Sequence, residues 1–319
     1  MMNRAIIQAL RKYRKFVVTM HVNPDPDALG SAVAMTLYLK SIGKTVRLMN
    51  DGPHPQWLDF MPESGLCEPF QAKDVFKPEV VVVLDCGDKE RVGAVAAIMT
   101  PGVKVINIDH HVTNTRFGDL NLVQTAKSST SEILYDLLKA ARCKFTRDMA
   151  VLLYLGILTD TGSFGFDSTS SHTHRVIADL LKLGFSVSDL YRQVYETLPR
   201  TDLKPFLALM NMVTLHADER IACLTISLKQ AKRFSSNFDL KDKVFSFLRA
   251  VKGLEVIMIL AQQDKKITRL NLRSRGVVDV ARFASKFNGG GHKKASGGFV
   301  KLPLGKAKAC VLAAMAKEL

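Results

Sequence analysis

The segment from His21 to Asp27, His-Val-Asn-Pro-Asp-Pro-Asp, holds residue types that could do chemistry. It follows apolar residues 16–20, which predict a buried strand, and precedes a helical pattern. Asp25 and Asp27 are two positions apart, so in an extended chain their carboxylates point to the same side. Two carboxylates near an imidazole suit Mn²⁺ or a similar divalent ion. The alternative is a turn whose aspartates cap the next helix.

Two further apolar runs also end in potential metal ligands. Residues 80–84 are β-branched or apolar and deliver Asp85, and residues 103–108 deliver Asp109, His110 and His111. Such continuous apolar runs are typical of strands buried on both faces of a parallel sheet. Ligands bind at the carboxyl ends of such strands, so these residues are expected to meet at one edge.

Asp160 is a fourth candidate ligand. It lies at the end of a predicted helix over 149–158, where Gly162 and Ser163 stop the helical pattern. A carboxylate at a helix C-terminus faces the negative end of the helix dipole, and that placement suggests a compensating cation. The alternative is a solvated aspartate in a loop.

The C-terminal third contains a candidate anion site. Glycines 289, 290 and 291 precede His292, and Arg273-Ser274-Arg275 follows a predicted strand. Consecutive glycines allow backbone N–H groups to face an anion, and arginine forks suit phosphate oxygens. These residues favour phosphate or nucleotide binding over a flexible turn, which is the alternative for a glycine run.

The charge of the chain is unevenly distributed. The 319 residues are 47% hydrophobic and carry a net charge of +15, and from residue 226 onward 20 basic residues face 6 acidic ones. This asymmetry suggests an anionic partner such as nucleic acid or a nucleotide. A basic surface that serves solubility is the alternative.

The cysteines, the N-terminus and the hydropathy exclude several classes of protein. Five scattered cysteines without a CxxC pair argue against a disulfide framework and a thiolate zinc site. The first residues resemble an amphipathic helix rather than a signal peptide, and no apolar run could span a membrane. We therefore expect a cytoplasmic protein.

The order of predicted elements indicates an α/β protein with two domains. Strands alternate with helices in the N-terminal part, which predicts a parallel sheet with helices on both faces. We expect a catalytic domain over 1–198, a linker helix over 199–215 and a smaller substrate domain with a mixed sheet over 216–319. The active site is expected in a cleft between the two domains.

The combination of motifs resembles the DHH phosphoesterases. The motifs are His21-x-Asn-Pro-Asp-x-Asp27, Asp85, Asp109-His-His111 and Thr-Asp160-Thr-Gly, followed by the Gly-Gly-Gly-His292 segment with Arg273-Ser-Arg275 of a DHH-associated C-terminal domain. Asn288 stands where a further glycine is common. The layout is most similar to the branch of very-short-RNA nucleases that also dephosphorylate 3′-phosphoadenosine 5′-phosphate.

The resemblance implies a binuclear manganese site, with Mg²⁺ or Co²⁺ as alternatives. One ion would be held by His21, Asp25 and Asp85, and the other by Asp27, Asp85, His110 and Asp160. It also implies a hydroxide bridging the two ions as nucleophile. His111 would contact the substrate phosphate or support the ligands, and Asp109 would orient the histidines. Substrate would be bound by Arg273, Ser274, Arg275, Gly289, Gly290, Gly291 and His292.

The implied activity is hydrolysis of very short oligoribonucleotides to mononucleotides, together with dephosphorylation of 3′-phosphoadenosine 5′-phosphate. The resemblance also suggests that the protein is a homodimer. One alternative is a phosphodiesterase of cyclic or linear dinucleotides such as cyclic di-AMP or pApA. A pyrophosphatase or exopolyphosphatase would share the metal motifs but would not be expected to carry the Gly-Gly-Gly-His segment. The alternative without catalysis is a nucleic-acid-binding module with a vestigial metal site.

Overall fold

The structure, a computed structural model, describes residues 2–73, 76–236 and 238–319. It divides into two compact units, Met1–Tyr191 and Arg192–Leu319. Within the described ranges, no helix combines the length and apolar character needed to cross a bilayer. The predicted boundaries at 198 and 216, and the roles assigned to the regions they separate, stay predictions.

The first half of the chain alternates strands and helices. Its strands are β1 (Lys15–Thr19), β2 (Thr45–Asn50), β3 (Cys67–Pro69), β4 (Val80–Leu84), β5 (Lys104–Asp109) and β6 (Leu120–Val123). Its helices are α1 (Met2–Lys12), α2 (Pro26–Ser41), α3 (Thr130–Ala140), α4 (Arg147–Asp160), α5 (Ser171–Leu181) and α6 (Val187–Tyr195). Short 3₁₀ segments cover Gln56–Leu58, Ser64–Leu66 and Glu90–Ile98.

The six strands of the first unit form one parallel sheet in the order β3-β2-β1-β4-β5-β6. This confirms the predicted parallel sheet. The two outer strands, β3 and β6, were not predicted, because runs of three and four residues carry too little apolar pattern to be recognised. On one face, Val17, Val81 and Val83 pack with the 3₁₀ segment Glu90–Ile98.

Helix α2 begins at Pro26, inside the segment that was predicted to precede the helical pattern. Proline is favourable in the first helical turn because its missing N–H would have no partner there. Gly30 allows α2 to approach α4 closely, since a Cβ at this position would lie 2.6 Å from the carbonyl oxygen of Leu152. Helices α2, α3 and α4 pack against one another beside the sheet.

The remainder of the chain builds a second sheet. After the 3₁₀ segment Arg200–Asp202, its helices are α7 (Leu203–Met210), α8 (Leu228–Ala231), α9 (Leu240–Arg249), α10 (Val280–Ser285) and α11 (Leu304–Met315). Its strands are β7 (Thr214–His216), β8 (Ile221–Ile226), β9 (Val256–Gln262), β10 (Thr268–Ser274), β11 (Gly290–His292) and β12 (Ala295–Val300).

The second sheet has the order β11-β12-β10-β9-β8-β7, with β8 and β9 parallel and the other neighbours antiparallel. The mixed sheet predicted for this region is therefore confirmed. Alternate residues of β9 face opposite sides: Met258 and Leu260 pack with α10 and α11, and Ile257 and Ile259 pack with α9. This alternation follows from the period of two along a strand.

Candidate metal centre

The carboxyl ends of three neighbouring strands place the predicted acidic and histidine residues together. His21 follows β1, Asp85 follows β4, and His110 and His111 follow β5, while β1, β4 and β5 are adjacent in the sheet. Asp160, the last residue of α4, reaches the same edge. Parallel strands bring residues that are far apart in sequence to one place in this way.

Asp85 lies at the centre of this group. Its Oδ2 is 3.5 Å from His21 Nε2, and its Oδ1 is 3.5 Å from His110 Nε2 and 3.7 Å from His111 Nδ1. The residue is 2% exposed and has a φ of 53°, in the left-handed region that is unusual for a residue other than glycine. Such a conformation is held in place by its surroundings and is common at functional sites.

The ligand atoms fall into two groups on either side of Asp85. One group is His21, Asp25 and Asp85, and the other is Asp27, His110 and Asp160, with the ligand atoms of each group within 4.8 Å of one another. His110 Nε2 and Asp160 Oδ2 are 3.1 Å apart. The two carboxylate oxygens of Asp85 face different histidines, so this side chain has the geometry to connect the two groups.

Asp25 fits both roles predicted from the sequence, that of a helix cap and that of a metal ligand. Its Oδ1 accepts hydrogen bonds from the backbone N–H groups of Asp27 and Ala28, so it is the N-cap of α2. It also belongs to the group with His21 and Asp85. Asp27 lies in the first turn of α2 and is completely buried, so the two aspartates enter different groups instead of facing one ion together.

The N-terminus of α3 contacts Asp27 and Asp85 directly, a contact that the sequence did not predict. The backbone N–H groups of Thr130 and Ser131 donate to the two carboxylate oxygens of Asp27 at 2.8 and 2.9 Å. The Thr130 hydroxyl donates to Asp85 Oδ1 at 2.9 Å. Only the position of α3 after an edge strand of a parallel sheet could have indicated this, because its N-terminus must then lie at the carboxyl edge.

Gly156 of α4 allows α3 and α4 to pack closely around Asp27. A Cβ at this position would lie 2.2 Å from Ser131 Oγ and 2.6 Å from Asp27 Oδ1. Real Cβ atoms do not approach other atoms so closely, so any side chain here would displace Asp27 or α3. The three helices α2, α3 and α4 therefore meet at Asp27.

Hydrogen bonds orient the histidine rings. His21 Nδ1 lies 2.9 Å from the carbonyl oxygen of Val22, which can only accept, so Nδ1 carries a proton and the other ring nitrogen, Nε2, faces Asp85. His111 Nδ1 lies 2.7 Å from Asp109 Oδ1. Asp109 is completely buried, and its Oδ2 accepts from the side-chain amide of Asn114 at 2.6 Å. Such partners are typical of histidines at metal sites.

The ionisation of the group reflects buried, crowded carboxylates. Burial raises the pKa of Asp27 well above its usual range, and the Asp85 and Asp160 carboxylates add to this effect. Burial also raises the pKa of Asp160, against the opposing effect of His110. Burial alone would raise the pKa of Asp85, but its hydrogen bond to His21 and the charges of His111 and His110 hold that pKa below the ordinary range.

Burial acts on the imidazoles in the opposite direction, but neighbouring carboxylates raise their pKa values. Burial lowers the pKa of His110, but the hydrogen bond and the charge of Asp160 outweigh it and raise that pKa well above the usual value. The pKa of His21 is also raised, because Asp85 and Asp25 outweigh the effect of burial. A bound cation would oppose these shifts, because it favours deprotonated ligands.

The donor set fits divalent cations. Five carboxylates, those of Asp25, Asp27, Asp85, Asp109 and Asp160, lie at this edge, and within the described ranges no lysine or arginine forms an ion pair with them. Oxygen and imidazole donors without a thiolate suit Mn²⁺ or Mg²⁺. Cys86, next to Asp85, is not a competing ligand, because burial raises the pKa of its thiol to about 12 and its side chain packs in the core.

The predicted substrate-binding residues lie in the second unit. Arg273 stacks on Phe245 of α9, with the guanidinium 4.6 Å from the ring centroid. Arg275 instead donates to the carbonyl oxygens of Arg249 and Val251, at the end of α9. The two guanidinium groups thus have different neighbours, although both contact α9 or the residues that follow it. Ser274 Oγ accepts from the backbone N–H of Gly276 at 2.9 Å.

The glycine run forms a strand rather than an open loop. Gly290, Gly291 and His292 are β11, which pairs with β12 through the turn at Lys293 and Lys294. A Cβ at Gly289 would lie 2.1 Å from the carbonyl oxygen of Gly297. Gly291 has a φ of 137°. Close backbone approach and an unusual φ explain the glycines at 289 and 291, independently of any anion.

Comparison with known proteins identifies the family. The N-terminal domain of the DHH family matches residues 15–157. A curated relative from Thermus thermophilus, named bifunctional oligoribonuclease and PAP phosphatase NrnA, is 32% identical over 95% of this chain and 89% of its own length.

Solved structures share the fold. An exopolyphosphatase-related protein from Bacteroides fragilis aligns with a TM-score of 0.86 and 24% identity, over 99% of this chain and 95% of its own. Exonuclease RecJ bound to manganese aligns with a TM-score of 0.51 and 15% identity, over 100% of this chain and 95% of its own. The sequence relative, the family match and the motifs at the edge of the parallel sheet agree: the chain belongs to the DHH family of phosphoesterases.

Proposed function

We propose that this protein hydrolyses very short oligoribonucleotides to mononucleotides and removes the 3′-phosphate of 3′-phosphoadenosine 5′-phosphate. The observation that carries the proposal is the position of Asp85 between two groups of oxygen and imidazole ligands. The name of the Thermus thermophilus relative supports the choice of substrates, since that name covers both activities and the match extends over nearly all of both chains.

Two divalent cations are the proposed cofactors. His21, Asp25 and Asp85 would hold one ion, and Asp27, Asp85, His110 and Asp160 the other, with Asp85 shared. When bound, such ions neutralise phosphate charge and lower the pKa of the attacking water. We favour Mn²⁺ because of the donor set, and the manganese in the RecJ structure of the same fold supports that choice.

The protein's own groups orient the ligands in this proposal. Thr130 and Ser131 hold Asp27 through both carboxylate oxygens, which keeps that carboxylate from rotating. The Thr130 hydroxyl holds one oxygen of Asp85. Asp109 holds the ring of His111, whose proposed role is to contact the substrate phosphate. Fixed ligands reduce the reorganisation needed when charge develops in the transition state.

Substrate binding is assigned to the second unit. We propose that Arg273, Ser274, Arg275 and His292, with the backbone of Gly289, Gly290 and Gly291, bind the part of the substrate away from the scissile phosphate. The basic character of the chain from residue 226 onward, with 20 basic and 6 acidic residues, supports an anionic ligand here. Of the two arginines, Arg273 is the better candidate because it donates to one backbone carbonyl, that of Leu272, whereas Arg275 donates to two.

Hydrolysis of a substrate panel tests the proposal. The panel contains an RNA dinucleotide, an RNA pentanucleotide, a longer RNA, 3′-phosphoadenosine 5′-phosphate, pApA, cyclic di-AMP and pyrophosphate, each with Mn²⁺ and with chelator. We expect manganese-dependent turnover that is fastest for the shortest RNAs, together with release of phosphate from 3′-phosphoadenosine 5′-phosphate. Exclusive turnover of cyclic di-AMP or pyrophosphate, or none of any substrate, would contradict it.

A further inference from the structure

A basic pocket lies at the opposite end of the helices that build the metal centre. Its volume is about 660 Å³, and the side chains of Arg11, Lys44, Arg142 and Lys144 line it. Among the described residues that line it there is no carboxylate. The pocket is contained within the first unit. Four cations without an acidic partner make it a candidate site for an anion.

The helix ends define where this pocket lies. Ser41, the last residue of α2, and Ala141, just after α3, line it, and so does Thr146, the N-cap of α4. The opposite ends of the same helices carry Asp27, Thr130 and Asp160. Since Ser41 follows Asp27 by 14 residues within α2 and a helix rises about 1.5 Å per residue, the pocket is about 21 Å from Asp27.

The helix ends near the pocket offset only part of the positive charge of the four side chains. Helices α1, α2 and α3 end near the pocket and α4 begins there, which gives a partial charge of about −1 in total when each end carries about half a charge. Arg11 donates to the carbonyl oxygen of Ala141, and Lys44 donates to that of Arg11. Two of the four cations are thereby used on carbonyl groups.

The other two cations are available to a ligand. Arg142 and Lys144 are exposed, and neither side chain forms a hydrogen bond or ion pair with the described residues. Arg142 has a φ of 61°, which places it in the turn between α3 and α4. Guanidinium and ammonium groups are the usual partners of phosphate oxygens.

We propose that this pocket binds a small phosphate-bearing molecule of nucleotide size, and that its occupancy alters catalysis at the metal centre. The volume falls within the range of small-molecule sites, and the charge selects an anion. Arg142 and Lys144 bind the phosphate groups, while the exposed side chain of Ile42 offers an apolar contact at the rim.

The tight packing of α2, α3 and α4 connects the basic pocket to the metal centre. Gly30 of α2 lies against the backbone of Leu152 in α4, and Gly156 of α4 lies against Ser131 and Asp27. Close-packed helices transmit small displacements because they cannot deform locally. A shift of α2 or α4 at the pocket therefore reaches Asp27, which belongs to α2 and lies against Gly156 of α4. This second part of the proposal rests on the proposed function, whereas binding at the pocket does not.

The first test is binding of ADP to the full-length protein in the presence of EDTA, measured by calorimetry. The test variant combines Arg142→Asn and Lys144→Gln, since asparagine tolerates the positive φ at position 142. The control combines Lys301→Gln and Lys306→Gln, two exposed lysines that remove the same charge in the second unit. We expect at least about tenfold weaker ADP binding in the test variant, from the loss of charge-assisted hydrogen bonds, and unchanged binding in the control.

Three outcomes of the binding test would overturn the site. Equal ADP affinity in the wild type and the test variant would remove the pocket as the binding place. An equal loss of ADP binding in the control variant would mean that ADP is attracted unspecifically by the positive charge of the protein. Loss of ADP binding in a His21→Ala variant alone would place the nucleotide at the metal centre. Inorganic phosphate is the second probe, and an affinity equal to that of ADP would overturn the nucleotide size of the ligand.

The second test measures hydrolysis of an RNA dinucleotide with Mn²⁺ and added ADP. We expect ADP to change kcat in the wild type and in the lysine control, but not in the Arg142→Asn, Lys144→Gln variant. An unchanged kcat in a wild type that binds ADP at the pocket would overturn the coupling and leave the binding site. Absence of any RNA hydrolysis would contradict the proposed function without affecting the binding result.

Discussion

The candidate metal centre and the glycine-rich hairpin are built in different ways. The first gathers His21, Asp85, His110 and Asp160 from four separate stretches of the chain at the edge of a parallel sheet. The second takes Arg273 from β10 and His292 from β11, which are joined through β12 within one antiparallel segment of the second sheet. The metal centre therefore depends on how several elements pack together, whereas the hairpin depends mainly on local strand pairing.

The candidate metal centre and the glycine-rich hairpin therefore also differ in how deeply their side chains are buried. Asp27, Asp85 and Asp109 are at most 2% exposed, and Asp27 and Asp85 accept hydrogen bonds from the N-terminus of α3, which is distant in sequence. Arg275 is exposed, and its partners are backbone carbonyls of the preceding helix end. Substitutions at the metal centre should therefore affect catalysis and folding together, while those in the second unit should separate substrate binding from stability.

The largest effect is expected for Asp85→Asn. Asparagine retains the size and tolerates the φ of 53°, but it removes the charge shared by both ligand groups. Loss of several kcal/mol of electrostatic stabilisation predicts a fall in kcat of about a thousandfold or more. Turnover of an RNA dinucleotide with Mn²⁺ measures it. Asp88→Asn is the matched control, since Asp88 lies three residues on and caps the N–H of Arg91; similar losses in both variants would contradict the central role of Asp85.

The next effect is expected for Gly156→Ala. The added methyl would overlap Ser131 Oγ and Asp27 Oδ1, so we expect a loss of about 1–3 kcal/mol in the free energy of unfolding and weaker Mn²⁺ binding. Denaturant unfolding and manganese titration measure the two effects. Gly305→Ala in α11 is the control, because no atom lies within 4 Å of its added Cβ; it should leave stability equal or higher. A fully stable Gly156→Ala protein would show that α3 and α4 can separate without cost.

A smaller effect on stability is expected for Glu132→Gln. Burial alone would raise the pKa of Glu132, but the Ser128 hydrogen bond and the charge of Lys127 lower it below the ordinary value. Because the folded pKa lies below the unfolded one, Glu132 stabilises the protein above about pH 4.5, and this contribution is lost as the pH falls through the folded pKa. At pH 7 the variant should lose about 1–2 kcal/mol.

The pH dependence provides the check on Glu132. Below about pH 5 the unfolding free energy of the wild type should fall more steeply with decreasing pH than that of the variant. The control is Glu318→Gln, which removes the surface ion pairs with Lys286 and Arg282 and should change stability by less than about 1 kcal/mol. Parallel pH curves for wild type and Glu132→Gln would show that Glu132 is not held ionised by its partners.

The smallest effects should separate Arg273 from Arg275. Arg273→Gln removes a charge proposed to bind phosphate, so KM for an RNA dinucleotide should rise about tenfold with little change in kcat. Arg275→Gln removes hydrogen bonds to the end of α9 and should instead lower the unfolding free energy by about 1 kcal/mol. If Arg275→Gln raised KM as much as Arg273→Gln while leaving stability unchanged, both arginines would face the substrate.

The sequence by itself determined the parallel sheet, the mixed sheet and the residues that reach the edge of the first sheet. Strands buried on both faces have an unmistakable apolar pattern, and each predicted ligand follows such a strand or ends a helix. The short strands β3 and β6 carried no such pattern, and the start of α2 at Pro26 depended on local capping by Asp25.

Only the tertiary structure decided how these residues are grouped and supported. It separates Asp25 from Asp27, joins Asp27 to the N-terminus of α3, and requires glycine at position 156. It also directs Arg275 toward helix carbonyls and folds the glycine run into a strand. The physical reason is that strand and helix periodicity is local, whereas the contacts of Asp27 with α3 join residues 103 and 104 positions apart and those of Arg275 join residues 26 and 24 positions apart, so that packing sets which of them meet.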